Sequence, residues 1–247
     1  METRGQKTTC SRRLTKGVGL LLACSGLWVG CAAQQAAVEK TEKPEAPAVQ
    51  ASRRTVEITP EKVEAGKALF STTCIACHGP EGVGRTGTGP RLNSASFLAA
   101  ASDDFLIQTI TRGRAGTTMI GWGSAYSPEQ IESIVAYLRS LNDVQPAQLD
   151  ESPLKGDVAE GEKIFSGICA GCHGNSGAGY QETANGTGIG RAAFLSVASN
   201  GYLRYIIKHG KDQTMMRPFD PKSRVAVANL SDDQIEDVIA YLRANAW

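Results

Sequence analysis

The fold of this chain is decided by two short stretches, Cys74-Ile75-Ala76-Cys77-His78 and Cys169-Ala170-Gly171-Cys172-His173. Paired cysteines with this spacing also occur in disulfides, redox dithiols and halves of zinc sites. The histidine after each pair distinguishes these stretches, because Cys-x-x-Cys-His is the attachment signature of c-type haem. A zinc site would need a further Cys or His pair beside each stretch, and the only other histidine is His209.

Each stretch therefore predicts one covalently attached haem c. Two thiols three residues apart on a helical turn reach the two vinyl groups of one porphyrin, and the adjacent imidazole falls on the iron. The chain would thus carry two haem c groups. The residues predicted to bind them are Cys74, Cys77, His78, Cys169, Cys172 and His173.

The first 31 residues are typical of an export signal. A positively charged start precedes an apolar run, Gly17 to Gly30, that is too short to cross a bilayer. The stretch Leu-Trp-Val-Gly-Cys ending at Cys31 resembles the lipobox of bacterial lipoproteins, which implies lipidation of Cys31; Cys24 is a rival site. The same residues also fit a cleaved signal without lipid, or an uncleaved anchor helix over residues 17–38. Each of these possibilities predicts a protein on the periplasmic side of a bacterial membrane.

Residues 32–58 form a predicted flexible tether. They are rich in Ala, Glu, Lys, Pro and Gln and contain little to bury. A flexible chain of this length has a root-mean-square reach of about 30 Å, which lets a folded head move above a membrane. The net charge of the whole chain is +1, so nothing indicates a nucleic-acid partner.

The remainder of the chain is an internal repeat. In each copy a short amphipathic segment precedes the cysteine motif, and a glycine-rich loop, a helix, a methionine-bearing loop and a closing helix follow it. Ser127 and Ser231 are predicted to cap the closing helices, because a glutamine follows each of them three residues later. No segment alternates apolar and polar residues as a β-strand would, so we predict an all-α chain. The predicted boundaries are 59–142 for the first domain, 143–154 for a linker and 155–247 for the second domain.

Each copy resembles a class I cytochrome c domain, and the resemblance covers nearly all of the chain after the tether. In that family the first and last helices cross closely at a glycine, which implies this role for Gly66 and Gly161. Aromatic residues pack beside the crossing. The pairs expected here are Phe70 with Tyr137 and Phe165 with Tyr241.

The resemblance implies a methionine as the sixth iron ligand of each haem. The family carries it in the loop before the closing helix, where this chain has Met119, Met215 and Met216. Aligning the glycines that end the preceding helices places Met119 opposite Met216 and leaves Met215 one residue out of register. We therefore predict iron ligation by the pairs His78/Met119 and His173/Met216, with Met215 as the alternative in the second domain.

The family also has a loop proline whose carbonyl accepts a hydrogen bond from the proximal imidazole. Pro90 fits this role in the first domain, and the matching Gly-Thr-Gly-x context predicts the carbonyl of Ile189 in the second. Such contacts tune the basicity of the ligand, so we expect the two haems to differ in reduction potential. Arg85, Arg91 and Arg191 are either contacts to haem propionates or solvated surface residues.

The expected ligand sets favour an electron carrier over an enzyme. His/Met ligation closes the iron coordination and raises the reduction potential. The competing functions are a peroxidase-like haem enzyme and a gas sensor, each of which needs an open haem site. The arrangement resembles the dihaem subunits of cbb-class haem–copper oxidases and the small dihaem cytochromes of bacterial respiratory chains. The resemblance implies a redox-protein donor and acceptor, for either a standalone carrier or a subunit of a larger oxidoreductase.

Overall fold

The computed structural model describes residues 55–247, so the export segment with Cys31 and nearly all of the predicted tether lie outside the described residues. Over this range the chain is helical, and the one β-type pairing there is an isolated bridge between Arg85 and Gly89. The predicted all-α class is confirmed for these residues. None of the helices described is long and apolar enough to cross a bilayer.

Helix α1 opens the first domain. Its N-terminus is capped by Thr59, whose Oγ1 accepts a hydrogen bond from the backbone N–H of Lys62 at 3.3 Å, and a proline occupies its first position. A π-helical turn, Phe70–Cys74, continues α1 directly into α2. The helices of this domain are α1 (Pro60–Leu69), α2 (Ile75–His78), α3 (Ala95–Ala100), α4 (Asp103–Arg112) and α5 (Pro128–Ser140).

The second domain repeats this order. A π-helical turn, Phe165–Cys169, again joins the first helix to the short helix that carries the histidine. The helices are α6 (Val158–Ile164), α7 (Ala170–His173), α8 (Ala192–Leu195), α9 (Asn200–His209) and α10 (Asp232–Ala244). The described residues therefore form two domains of the same architecture.

The closing helices begin where the sequence predicted. The backbone N–H of Gln130 donates to Ser127 Oγ at 3.3 Å, and the Gln130 side chain accepts from the Ser127 N–H at 2.9 Å. Ser231 and Gln234 make the same reciprocal pair, at 3.2 and 2.9 Å. Both capping boxes are thus confirmed, and they fix the position of the last helix in each domain.

The first and last helices of each domain cross in close contact. Gly66 lies against the backbone carbonyl of Ser133 on α5, and Gly161 lies against the carbonyl of Asp237 on α10, so closely that a Cβ atom at either glycine would overlap the opposing backbone. The expected aromatic pairs lie beside the crossings. Their ring centroids are 5.3 Å apart for Phe70 and Tyr137 and 5.2 Å apart for Phe165 and Tyr241.

An arginine near the end of each closing helix ties that helix to the middle of its domain. Arg139 donates to the carbonyls of Leu98 and Ala101 and to the buried carboxylate of Asp103 at 2.7 Å. In the second domain Arg243 makes the equivalent three bonds. Its acceptors are the carbonyls of Leu195 and Ala198 and the side-chain oxygen of Asn200, the last at 3.0 Å.

The two domains meet at an aromatic cluster formed by Phe97, Phe105, Phe194 and Tyr202. Phe105 and Tyr202, which occupy equivalent places in the repeat, stack on each other with centroids 4.8 Å apart. Phe105 also meets Phe194 edge to face at 6.5 Å. Aromatic pairs of this kind bury a large apolar area and favour one relative geometry. The cluster therefore docks the two domains in a defined orientation.

Candidate haem sites

A single helical turn presents each cysteine pair. Cys74 ends the π-helical turn and Cys77 and His78 lie on α2, while Cys169 and Cys172 stand at the equivalent positions before His173. The π-turn is a local widening that is frequent at functional sites. None of these four thiols, which are the described cysteines, forms a disulfide.

The first thiol of each pair lacks the lowered pKa of a redox-active cysteine. Burial, and then the neighbouring Cys77, raises the pKa of Cys74 to about 11, and burial together with Cys172 does the same for Cys169. Reactive cysteines have a lowered pKa instead. Among residues 55–247, no three Cys, His, Asp or Glu side chains converge as a metal-ion site would require. The raised pKa of Cys74 and Cys169 argues against thiol exchange as the role of these pairs.

The imidazole of His78 is buried and held in one orientation. The side chain is 9% exposed, and its Nδ1 lies 2.9 Å from the carbonyl oxygen of Pro90. Burial lowers the pKa of His78, although the hydrogen bond to Pro90 acts in the opposite direction. A neutral imidazole that donates through Nδ1 leaves Nε2 free to bind a metal. The predicted role of the Pro90 carbonyl fits this geometry.

The second domain uses a different carbonyl from the one predicted. His173 Nδ1 lies 2.8 Å from the oxygen of Thr187, two residues before Ile189, so the expectation for Ile189 is wrong. The reason lies in the loop. Gly89 packs against the carbonyl of Cys77, and it is Gly186 that packs in the same way against the carbonyl of Cys172. The residue that follows this glycine presents its carbonyl to the imidazole in both domains.

The two methionine loops have the same backbone geometry. The carbonyl of Met119 accepts from the N–H of Arg114 at 2.7 Å, and the carbonyl of Met216 accepts from the N–H of Lys211 at 2.7 Å. A threonine hydroxyl two residues earlier accepts from the methionine N–H in both loops, at 3.1 Å. Met216 packs against the core, whereas Met215 is 67% exposed. Met216 is therefore the structural counterpart of Met119.

Further residues around the sites escaped the sequence reasoning. The guanidinium of Arg114 lies 4.5 Å from the ring centroid of Phe194, and Lys211 Nζ lies 4.4 Å from that of Phe97, so each domain places a cation over an aromatic ring of the other. A signal was present, because Arg114 and Lys211 follow equivalent glycines of the repeat. Arg191, for which the sequence left a solvated position open, is instead buried. It is 6% exposed, and its guanidinium lies 4.1 Å from the ring centroid of Trp247.

These features fit haem c in both domains. The donor set is a buried imidazole, two thiols on the preceding turn and a thioether loop, which matches a ferrous or ferric porphyrin and not a hard cation. His209 does not join either set. It lies exposed at the end of α9, where its ring packs 4.5 Å from that of Tyr205.

Comparison with known proteins agrees with this assignment. Residues 61–138 match the family described as cytochrome c oxidase, cbb3-type, subunit III, and residues 158–246 match the cytochrome c family. Two cytochrome c domains with intact attachment motifs carry two covalently bound haem c groups.

The chain is also similar to curated proteins over part of their length. It is 36% identical to the cbb3-type cytochrome c oxidase subunit FixP of Azorhizobium caulinodans over 124 residues, which cover 47% of this chain and 40% of that protein. It is 26% identical to subunit CcoP of the same class of oxidase from Rubrivivax gelatinosus over 183 residues, 74% of this chain and 54% of that protein. The chain spans about half the length of the curated relatives it matches.

Among solved structures, a Kuenenia stuttgartiensis reducing HAO-like protein complex aligns with 78% of this chain and 99% of its own matched chain. The sequence identity is 23% and the TM-score is 0.47.

Proposed function

This chain is a c-type cytochrome with two haem domains, and we propose that it transfers single electrons between redox proteins on the periplasmic side of a bacterial membrane. When bound, each haem supplies a one-electron ferric/ferrous couple. The protein supplies attachment, axial ligands and burial. The observation that carries the proposal is the equivalence of the two methionine loops, which offers each haem a sixth ligand.

In this proposal Cys74 and Cys77 hold the first haem, and His78 and Met119 are its iron ligands. The Nδ1 hydrogen bond to Pro90 fixes the imidazole and would leave Nε2 free to bind the iron. A thioether is neutral and soft, so it favours ferrous iron and a high potential.

The second haem follows the same scheme. Cys169 and Cys172 attach it, His173 is the proximal ligand and Met216 is the sixth ligand. The exposure of Met215 supports this choice over the neighbouring residue. Closed coordination at both irons excludes substrate from the metal, which suits a carrier and not a peroxidase or a gas sensor.

We propose that the partner is a respiratory oxidoreductase. The match of residues 61–138 to a cbb3-type oxidase subunit family supports a subunit role, and a standalone carrier is the competing arrangement. Co-purification from solubilised membranes distinguishes them, since a subunit remains with its complex and a carrier does not. The membrane link proposed is lipidation at Cys31. Mass spectrometry of the mature N-terminus separates a lipidated Cys31 from a plain cleaved signal and from a retained anchor helix.

The first test is optical spectroscopy of the purified holoprotein, oxidised and reduced, with and without carbon monoxide. We expect two low-spin haems, the ferric sulfur-to-iron band of methionine ligation and no reaction with carbon monoxide. A high-spin haem, or one that binds carbon monoxide readily, would mean that a methionine is not the ligand there. An enzyme or sensor role would then apply to that domain.

A further inference from the structure

Two adjacent residues of the second domain, Lys211 and Asp212, form hydrogen bonds with residues 91–96 of the first domain. Lys211 Nζ donates to the carbonyl oxygen of Arg91 at 2.9 Å. The carboxylate of Asp212 accepts from the hydroxyls of Ser94 at 2.8 Å and Ser96 at 2.6 Å, and from the backbone N–H groups at the start of α3. We call this arrangement the Lys211–Asp212 clasp. It joins the domains by several charge-assisted hydrogen bonds.

The clasp lies directly behind the proximal ligand of the first haem. The carbonyl that Lys211 binds belongs to Arg91, and the carbonyl one residue earlier, that of Pro90, is the acceptor for His78 Nδ1. Lys211 therefore binds the same short segment of loop that orients the His78 imidazole.

The second haem site has no such arrangement among the described residues. Arg114 is the counterpart of Lys211, but the residue after it is Ala115, which has no carboxylate. Helix α8 begins after Arg191 without a side-chain cap, whereas α3 has both Ser94 and Asp212 at its start. Among the described residues, the Lys211–Asp212 clasp is therefore present at the first haem site alone.

We propose that Lys211 is a positioning residue for the haem of the other domain, and that it raises the reduction potential of the first haem while the domains are docked. The inference rests on the proposed electron-transfer function. Lys211 binds the carbonyl next to the one that holds the His78 imidazole, so its charge would act on the haem that this imidazole binds. A positive charge near a haem favours the ferrous state, which carries one positive charge fewer than the ferric state. The Lys211 ammonium packs over the Phe97 ring, where water screens it poorly, whereas the Asp212 carboxylate is held by the hydroxyl and N–H groups at the start of α3.

The test is a spectroelectrochemical titration of the full-length holoprotein at pH 6. Burial lowers the pKa of Lys211 to about 8, so the side chain is charged under these conditions. The variants are Lys211→Met, which removes the charge and the donor, and Lys211→Arg, which keeps both. Lys208→Met is the matched control, because Lys208 pairs with Asp232 at 2.6 Å on the adjoining helix and does not face the clasp. A Met119→His variant identifies the midpoint of the first haem, since an imidazole in place of the thioether lowers it.

We expect Lys211→Met to lower the midpoint of the first haem and to leave that of the second unchanged. The ferric–ferrous equilibrium should move by on the order of tenfold, which is about 59 mV for a one-electron couple. Lys211→Arg should restore the original value, and Lys208→Met should have no effect. An unchanged first midpoint in Lys211→Met, or equal shifts of both midpoints, would overturn the inference and leave the electron-transfer proposal intact. The absence of reversible haem reduction in the unmodified protein would overturn both.

Discussion

The carbonyl of Met216 accepts a hydrogen bond from the N–H of Lys211, and this bond repeats the one between Met119 and Arg114 in the first domain. The methionine loop is therefore closed by the residue that follows the helix-ending glycine. We expect Met216→Ala to abolish the ferric sulfur-to-iron band of one haem and to lower its midpoint potential. Met215→Ala, which truncates an exposed side chain, should leave both unchanged. The reverse pattern would assign the sixth ligand to Met215.

The helix crossings predict a pair of contrasting glycine substitutions. Gly66→Ala places a methyl group against the Ser133 carbonyl, and the rigid crossing can relieve the overlap only by separating α1 from α5. We expect a loss of about 1–3 kcal/mol in the free energy of unfolding. Gly167→Ala is the control, because a Cβ there meets nothing within 4 Å. Denaturant unfolding followed by circular dichroism measures both, and equal effects would contradict the packing argument.

Arg139 and Arg243 occupy equivalent positions, but we expect their substitution to lower the free energy of unfolding by different amounts. Arg139→Ala leaves the buried carboxylate of Asp103 without its cation, which typically costs about 3–5 kcal/mol. Both variants lose two hydrogen bonds to backbone carbonyls, but Arg243→Ala strands no charge, because its side-chain acceptor is the neutral Asn200, and the loss of that bond costs about 1–3 kcal/mol. Urea unfolding of the two variants should rank Arg139→Ala as the less stable. Adding Asp103→Asn to Arg139→Ala should recover part of the loss, because the stranded charge is gone.

Asp212 predicts an acid-sensitive contact between the domains. Burial raises the pKa of this carboxyl, but hydrogen bonds from Ser96, Ser94 and Ala95 outweigh that effect and lower the pKa from 3.8 to about 2. Because the folded-state pKa is the lower one, the carboxylate stabilises the docked form above about pH 4, and this contribution is lost as the pH falls towards 2.

Hydrogen exchange at the N–H of Ser96 measures this contact, since that group donates to Asp212 at 2.6 Å. Protection of the Ser96 amide should decrease between pH 4 and pH 2 once the intrinsic pH dependence of exchange is removed. In Asp212→Asn the corrected protection should be lower at neutral pH and should not change over that interval. A decrease of the same size in the variant would show that another group is responsible.

Local signals carried most of the sequence-based prediction. Residues with a fixed spacing identified the attachment motifs, the capping boxes at Ser127 and Ser231 and the aromatic pairs at the helix crossings. The structure shows the predicted capping boxes and aromatic pairs, whereas the covalent attachment of haem rests on the motifs and the family matches. The pairing of ligands with haem iron and the domain boundaries remain predictions.

The sequence-based predictions were wrong or incomplete where they depended on the register of a loop or on contacts between the domains. The repeated Gly-Thr-Gly sequence suggested that Ile189 matches Pro90, but the second loop is two residues longer before the glycine that packs on Cys172, so Thr187 takes that place. The roles of Lys211 and Asp212 depend on residues more than a hundred positions away. The repeat marks Lys211 as the counterpart of Arg114, but it does not show which residues of the other domain these cations contact.

The aromatic cluster between the domains has a consequence for how the two domains are kept together. Phe105 stacks on its own counterpart, Tyr202, while the cation of each copy covers the equivalent ring of the other. This is the isologous contact of a two-fold symmetric dimer, in which one surface patch serves both partners. Two separate domains with this face would associate to an extent set by their concentration. Because the linker joins the two domains covalently, each domain experiences a high effective concentration of the other, and docking no longer depends on the protein concentration.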